Sequence, residues 1–524
     1  MTSLADMLPE MLPAMPRGPL MPILVMLLLP FLAALAMRPL AVISRWMAGA
    51  LGPLTLLLCA LLGLGLLVVN PDGPLLIALG STNAPLELLL KVDRLALVLA
   101  LVSIALVLLS WTRGEDHPDP VRMHAALLLL AGGLIGLALA GDPVTSWLFL
   151  EVCALASGAL LLIGGTLRSL TAMLAFVRWS AAGTGLAVAG LGLTLTAASL
   201  AAGDSAATTL GRLGVGLLVL GFGVKAALFP LNAWMAPAGW AAGARVLALL
   251  TGVVPALALV NLARLLAAGG VPAQGAEALM LLGMGSALAG ALGMWWAREF
   301  PTFLIGLSLS SMGAVAVGFS LPGPAGPFSA LALLLHFLLV HSALFVLAHR
   351  WRGRHADLVG IAWRLPLTAA VLMLLAASLV GVPPLPGFWA KLMLVLSLAE
   401  HAGAIVLVVL LALLLATAVE AAAWLRLLRQ LYARTGLGAS GTALADGKAL
   451  GLTRADRLPR LLEPSRLARA YSLLVAALLL LATLSIAPLA EGLNRLVVPL
   501  PTASVAGPRL VVDKDDVWWR EVEP

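Results

Sequence analysis

Residues 221–240, GFGVKAALFPLNAWMAPAGW, decide the expected fold because they place one lysine inside an apolar region and then interrupt that region. Pro230 follows Lys225 by five residues, and it predicts the end or a kink of a helix because proline lacks a backbone N–H. Irregular backbone is then expected at Asn232, Trp234, Pro237 and Gly239. At membrane depth such backbone is tolerated only where it is buried in protein or lines a wet cavity. Lys225 is therefore a candidate functional residue. The alternative is a lysine that extends from a helix end towards the interface.

The composition indicates a membrane protein. Of 524 residues, 61% are hydrophobic and 11% are charged, whereas a soluble domain averages about 25% charged residues. The arginines behind the net charge of +7 lie in short loops between apolar segments, which is typical of a topology signal and not of a nucleic-acid partner. Cys59 and Cys153 lie inside apolar runs and indicate neither a disulfide framework nor a metal centre. We expect a lipid bilayer as the environment and no cofactor.

About 20 mostly apolar residues cross a membrane as a helix, and on that rule the chain has about fourteen transmembrane spans. The predicted spans are residues 20–37, 49–70, 94–111, 121–140, 144–165, 171–202, 211–230, 245–267, 276–297, 302–322, 328–349, 366–397, 402–428 and 470–490. The predicted fold class is therefore all-α, a polytopic integral membrane protein. The predicted segments are N-terminal transmembrane helices at 1–120, two repeats at 121–267 and 268–430, a cytoplasmic loop at 431–469, and a last transmembrane helix with a tail at 470–524.

Basic residues are unevenly distributed between the loops. The loops after odd-numbered spans hold most of them, and the loop before the last span is the richest. The positive-inside rule places these loops in the cytoplasm and both termini outside, in a bacterial inner membrane. The polar stretch 435–466 is expected to be a cytoplasmic loop, in which a short amphipathic helix is one alternative. The tail 508–524, with Trp518 and Trp519, is expected to anchor at the outer interface with an acidic tip.

A weak internal repeat connects two interrupted helices. The lysine and the proline break at 211–230 have a counterpart at 366–397, where Pro383, Pro384 and Pro386 interrupt an apolar run and Lys391 follows. Paired interrupted helices in corresponding halves are the best sequence indication of a transport site between repeats.

Several charged or titratable residues lie inside predicted spans, where charge is costly and usually functional. Glu151, in the fifth span, is the expected carboxylate partner of Lys225, because a nearby carboxylate stabilises the charged form of a buried lysine. A change in their separation would let the lysine take up or release a proton. The alternative is a static ion pair that determines how the helices pack.

The second half of the chain holds further candidates. Lys391 follows the proline break and either faces a wet path or extends to the interface. His336 and His341 share the eleventh span and are either proton relays, since histidine titrates near neutral pH, or core residues. Glu420 either pairs with Arg426 or ends a proton path towards the outside.

These residues resemble the proton-conducting antiporter-like subunit family. The family comprises antiporter-like subunits of respiratory complex I, large subunits of multisubunit Na⁺/H⁺ antiporters, and membrane subunits of energy-converting hydrogenases. The matching pieces are Glu151, GFGVKAALFPLNAWMAPA with Lys225, FLIGLSLSSMGAVAVGF, HFLLVHSALF with His336 and His341, and GVPPLPGFWAKL with Lys391, which together cover most of residues 100–430. The resemblance implies two inverted five-helix repeats, each with a broken helix. It also implies a Glu/Lys pair, a central lysine with histidines, and a terminal Lys or Glu.

The sequence departs from the family pattern at the centre of this series. The stretch TGVVPALALVNLARLL has Pro255 and Ala256 where the family usually has a lysine, and Phe345 and Val346 follow the second histidine where a lysine is common. Asn232 stands where the family usually has a histidine. The central relay is therefore depleted, whereas both ends are present.

The resemblance implies a membrane subunit that moves protons, with Na⁺ exchange as an open alternative, in a complex I-like NADH:quinone oxidoreductase or a multisubunit cation/proton antiporter. The site residues would be Glu151, Lys225, His336, His341, Lys391 and Glu420. Its partners would be other membrane subunits, and any redox chemistry would belong to them. Two alternatives remain: a structural or assembly subunit that has lost transport, and a proton-flux subunit of an inorganic-carbon uptake system.

Overall fold

The computed structural model describes residues 20–69, 74–79, 88–111, 119–200, 205–267, 273–347, 351, 358–401, 403–433, 464–497, 509–512 and 520–522. The helices are α1 (Leu20–Ile43), α2 (Arg45–Val69), α3 (Arg94–Leu109), α4 (Pro120–Leu139), α5 (Pro143–Leu162), α6 (Leu167–Ser199), α7 (Ser205–Lys225), α8 (Met235–Ala241), α9 (Ala244–Ala267), α10 (Ala273–Trp296), α11 (Phe300–Ser320), α12 (Ala325–Leu347), α13 (Ile361–Arg364), α14 (Pro366–Val380), α15 (Pro386–Ala399), α16 (Ala404–Leu431), α17 (Arg466–Leu484) and α18 (Ile486–Val497). The strands are β1 (Leu75–Leu79), β2 (Leu88–Val92), β3 (Arg509–Val512) and β4 (Arg520–Val522).

The described residues contain 11 helices that are long and apolar enough to cross a membrane. A bent pair, α17 and α18, meets at 96° and would add one more, and α3, α14 and α15 are shorter apolar helices. Each predicted span overlaps one of these helices or a pair of them. The multi-span helical fold is therefore confirmed, whereas the number of fourteen spans stays a prediction.

The chain divides into two compact units, of which the first comprises Met1–Ile163, Val260–Gly269 and Pro499–Pro524. This unit contains helices α1 to α5 and also a small sheet of strand order β2-β1-β3-β4. β1 pairs antiparallel with β2 and parallel with β3. The all-α prediction missed these strands because runs of three to five residues carry little periodicity. The acidic and aromatic residues 513–519 of the tail lie outside the described residues.

A buried polar network stabilises the helix ends of the first unit. Asp93 accepts a hydrogen bond from the backbone N–H of Ala96 (2.7 Å) at the start of α3. Arg264, near the end of α9, lies 3.3 Å from the Asp93 carboxylate and donates to the carbonyl of Ala138 (3.0 Å) in the last turn of α4. Buried charges need such partners, since desolvating an isolated ion is costly.

The second unit comprises Gly164–Leu259 and Gly270–Val498. Two of its antiparallel helix pairs pack through glycines spaced seven residues apart. A Cβ on Gly190 of α6 would lie 2.6 Å from the carbonyl oxygen of Gly214 on α7, and one on Gly221 would lie 2.7 Å from that of Gly183. The pair α10 and α11 has the same arrangement, with Gly283 facing Gly313 and Gly290 facing Gly306. In a membrane no hydrophobic driving force holds two helices together, because lipid is as apolar as their side chains. Small residues support helix association there because they let the helices approach closely.

The first interrupted helix lies in the second unit, where α7 ends at Lys225. Residues 226–234 form turns before α8 begins. The backbone N–H of Phe229, released by the break, donates to the Ser286 hydroxyl on α10 (2.8 Å). Non-helical backbone inside a membrane protein requires such a substitute partner, so the neighbouring helix stabilises the break.

The expected irregular backbone is confirmed at Asn232 and Trp234 but not at Pro237 and Gly239, which lie in α8. Pro237 is tolerated there because it occupies the first turn, whose N–H groups have no partner within the helix. The helix before the break ends at Lys225 and not at Pro230.

The second interrupted helix consists of α14 and α15. Gly381, at φ +91°, follows the last residue of α14, and the N–H groups of Gly381 and Val382 both donate to the carbonyl of Ala377. Glycine is favoured in this left-handed conformation at a helix end. Pro386 opens α15, so Lys391 lies on its second turn. The expected break is confirmed at residues 381–385, whereas Pro386, which was expected to interrupt the helix, is the first residue of α15.

Candidate functional site

Lys225 is the last residue of α7 and is half-buried. Its ammonium group donates to the hydroxyl of Ser180 on α6, with an Nζ–Oγ distance of 2.7 Å. Glu151 lies half-buried on α5, in the first unit. The pairing of Glu151 with Lys225 stays a prediction.

Lys391 and Glu420 form an ion pair between α15 and α16. The Lys391 Nζ lies 2.9 Å from Oε2 of Glu420, and the two side chains are 24% and 7% exposed. Ser310 of α11 donates to the other carboxylate oxygen, so both oxygens of Glu420 have donors. The pair is held in a largely apolar environment, where breaking it would leave an uncompensated charge.

The alternative pairing of Glu420 with Arg426 is wrong. Arg426 lies over the ring of Trp295, 4.9 Å from its centroid, and donates to the carbonyl of Ala297 at 3.4 Å. Its side chain therefore associates with the end of α10. Arg426 lies six residues after Glu420 on α16, more than one and a half turns along the helix.

A cavity of about 60 Å³ lies beside the Lys391–Glu420 pair in the second unit. Its polar lining includes Ser310, Thr417 and His336 as well as the ion pair. His336 Nε2 lies 2.8 Å from the hydroxyl of Ser378 on α14. A polar cavity of this size has room for a few water molecules, so protons could reach the ion pair through water.

His341 belongs to a separate cluster. Its Nε2 lies 2.8 Å from the Ser308 hydroxyl on α11 and 3.4 Å from that of Thr251 on α9. Thr251 lies in a π-helical turn, Leu249–Val253. Phe337 and Phe345 pack against the imidazole, with ring centroids 4.6 and 4.5 Å away. All three polar side chains are buried, so this cluster is a neutral polar centre inside an apolar core.

The titratable residues of the site could be selected from the sequence, but their hydroxyl partners could not. Each of Lys225, His336, His341 and Glu420 contacts a serine: Ser180, Ser378, Ser308 and Ser310 respectively. Serines in apolar helices commonly bond to the carbonyl four residues earlier, as Ser308 also does with Leu304. Serine content therefore carries little signal, and only the packed structure identifies these partners.

Fold and site define a polytopic helical membrane protein that keeps charged and histidine side chains between its helices. The chain belongs to the NADH:quinone oxidoreductase/Mrp antiporter transmembrane family, whose sequence profile matches residues 140–417, more than half of the chain.

Two relatives illustrate the range of the family. A probable K(+)/H(+) antiporter subunit of Rhizobium meliloti is 30% identical over 447 residues, which cover 76% of this chain and 81% of the relative. A subunit of the NADH-quinone oxidoreductase of Desulforudis audaxviator is 31% identical over 322 residues, which cover 57% of this chain. The match spans 63% of the length of that oxidoreductase subunit, slightly less than two thirds.

Solved structures share the fold over nearly the whole chain. A chain of the Mrp complex from Dietzia sp. superposes with a TM-score of 0.75 at 20% identity and covers 92% of this chain and 98% of its own length. A chain of respiratory complex I from Thermus thermophilus gives a TM-score of 0.70 at 22% identity, over 91% of this chain and 98% of its own length. At these identities the likeness concerns the fold alone.

Proposed function

We propose that this chain is a proton-translocating membrane subunit of a larger complex, and that the Lys391–Glu420 pair is the group at which a proton enters or leaves the path. The observation that carries this proposal is an ion pair held between two helices beside a polar cavity, directly after a helix break. Ionisable residues inside transmembrane segments are rare, and substrate and ion pathways are among the functions that they mark. Moving the ammonium away from the carboxylate disfavours the charged form of both groups, so separation of the pair would favour proton release from Lys391 and proton uptake by Glu420.

Lys225 supplies the second group of the path in this proposal. It ends α7 at the other helix break and donates to Ser180, so a change in the break would alter its contacts. Glu151 would control the protonation of Lys225, and His336 and His341 would carry protons between the two lysines. The two breaks would belong to two inverted five-helix repeats at 121–267 and 268–430, within about fourteen spans. The basic loops support a bacterial inner membrane with both termini outside.

The partners would be other membrane subunits, because the matching solved chains come from the Mrp complex and from respiratory complex I. The relatives include Na(+)/H(+) and K(+)/H(+) antiporter subunits as well as NADH-quinone oxidoreductase subunits. These relatives differ in the cation that is exchanged for protons, so the experiment compares Na⁺ with K⁺.

The test uses inverted vesicles that hold the whole complex. Formation of a pH gradient is followed with Na⁺, with K⁺ and with neither, for the wild type, Lys391→Ala, Glu420→Gln and Lys225→Ala. Glu491→Gln is the matched control, since Glu491 forms an exposed ion pair with Arg495 on α18. We expect each of the three variants to assemble and to lose the gradient, and the control to retain it. Normal gradients in all three assembled variants would contradict the proposal.

The second candidate function is a structural subunit without transport. One observation favours it: the central cluster of His341, Ser308 and Thr251 contains no residue of fixed charge. This candidate predicts that the point variants leave the gradient unchanged, whereas deletion of the chain prevents assembly of the complex.

A further inference from the structure

The cluster around His341 has features that packing alone does not require. Its polar groups come from three helices: Thr251 from α9, Ser308 from α11 and His341 from α12. Their exposed fractions are 0%, 0% and 1%. A buried polar cluster is costly unless its members satisfy one another, and an ionisable residue inside a membrane, here His341, is a candidate functional residue by default.

The π-helical turn of α9 brings two consecutive residues against the same imidazole. Thr251 contacts Nε2, and a Cβ on Gly252 would lie 2.8 Å from Cε1 and 2.9 Å from Nδ1 of His341. The imidazole ring of His341 therefore packs directly on the backbone of Gly252. A larger residue in place of Gly252 would displace the ring. π-turns inside α-helices often occur at functional sites.

The same heavy-atom positions allow two proton arrangements. In the first, His341 Nε2 carries the ring hydrogen and donates it to Ser308, and the Ser308 hydroxyl donates to the carbonyl of Leu304, 2.9 Å away. In the second, the ring hydrogen is on Nδ1 and the Ser308 hydroxyl donates to Nε2. A hydroxyl has one donor and two acceptor positions and rotates freely, so rotation of Ser308 is coupled to the tautomer of His341.

We propose that Ser308 and Thr251 are proton-carrying residues, which together with His341 form a neutral relay across the centre of the second unit. This inference rests on the proposed function. A proton that arrives at Nδ1 releases the proton of Nε2 to the Ser308 oxygen, Ser308 passes its own proton to Thr251, and Thr251 releases its own to water. Each group gains one proton and gives one away, so the cluster is neutral before and after transfer. No group of fixed charge is needed.

Thr251 is the mobile member of the relay. Its Oγ1 lies 3.4 Å from both Ser308 Oγ and His341 Nε2 and 2.9 Å from the carbonyl of Leu247. A distance of 3.4 Å is long for a hydrogen bond between oxygens. A small rotation of the Thr251 side chain would complete the chain of hydrogen bonds.

Paired substitutions at Thr251 separate a role of the hydroxyl from a role in packing. Thr251→Val keeps the shape and removes the hydroxyl, whereas Thr251→Ser keeps the hydroxyl and removes a methyl group. Ser308→Ala removes the second hydroxyl. Ser320→Ala is the matched control, because Ser320 is a buried serine of the same helix that donates to the carbonyl of Val317.

The experiment measures proton flux in vesicles that hold the whole complex, in H₂O and in D₂O, at equal amounts of assembled complex. We expect Thr251→Val and Ser308→Ala to slow the flux by about tenfold or more and to increase the solvent isotope effect, because proton transfer at the cluster becomes the slowest step. Thr251→Ser and Ser320→Ala should retain the wild-type rate and isotope effect.

If Thr251→Val retains both while Thr251→Ser is slow, Thr251 is a packing residue and the relay is overturned. Loss of flux in Lys391→Ala alongside that result would leave the proposed function intact, whereas normal flux in Lys391→Ala and Glu420→Gln would overturn the function itself.

Discussion

Ser308 and Ser310 lie two residues apart on α11 and contact different clusters. Ser308 contacts the neutral imidazole cluster through His341, and Ser310 donates to the charged pair through Glu420. Residues two apart on a helix point in different directions, so α11 supplies one hydroxyl to each of the two clusters.

Phe337 is the side chain that stands between the two clusters. It lines the cavity and its ring packs on His341. We predict that Phe337→Ala opens a water connection and raises the passive proton leak of the resting complex several-fold, which a pH-sensitive dye inside the vesicles would measure. Phe345→Ala is the matched control, since Phe345 contacts the same imidazole and is not among the cavity-lining residues. Equal leaks in the two variants would show that Phe337 is no barrier.

The ion pair of Lys391 and Glu420 should show strong coupling in stability. Removal of one partner of a buried pair typically costs about 3 kcal/mol or more, because it leaves a charge without compensation. We predict that Glu420→Gln and Lys391→Met each lower the thermal midpoint of the purified complex, and that the double variant is more stable than either single one. Additive losses in the double variant would mean that the two side chains do not interact.

The glycine contacts between α6 and α7 predict that alanine has different effects on stability at two nearby positions of α6. A Cβ on Gly190 would lie 2.6 Å from the Gly214 carbonyl, whereas one on Gly192 would meet nothing within 4 Å. Gly190→Ala should therefore destabilise the chain by about 1–3 kcal/mol through overpacking. Gly192→Ala should be neutral or slightly stabilising, since alanine favours the helix. Thermal unfolding followed by helical circular dichroism compares the two, and similar midpoints would contradict the close approach.

The buried network of the first unit should contribute more than a surface ion pair. Arg264 is 13% exposed and binds both Asp93 and the Ala138 carbonyl, whereas Arg495 and Glu491 are 65% and 68% exposed. We predict that Arg264→Ala lowers stability by about 3 kcal/mol, and that Arg495→Ala changes it by less than about 1 kcal/mol. Denaturant titration of the purified complex measures both losses. The Nζ of Lys91 also lies 3.6 Å from the Asp93 carboxylate, so a small effect of Arg264→Ala would show that Lys91 compensates Asp93 by itself.

The sequence alone determined where the helices lie and where two of them break. Span length is a property of consecutive residues, because about 20 apolar residues cross a bilayer whatever they pack against. The break before Lys391 follows from local proline and glycine chemistry, whereas the first break was expected from Pro230 and begins at Lys225, five residues earlier. The candidate residues could be selected because a charged side chain inside an apolar run is costly in whichever direction it points.

Only the tertiary structure decided which residues meet. The pairing of Lys391 with Glu420, the serine partners and the π-helical turn at Thr251 could not be predicted from the sequence. The reason is that these helices are apolar on all sides. In a soluble protein the boundary between polar and apolar faces determines how a helix is rotated, but lipid and protein interior are both apolar. Rotation about each helix axis is therefore determined by packing, through contacts such as Gly190 against Gly214, and that packing directs Ser308 and Ser310 to their separate partners.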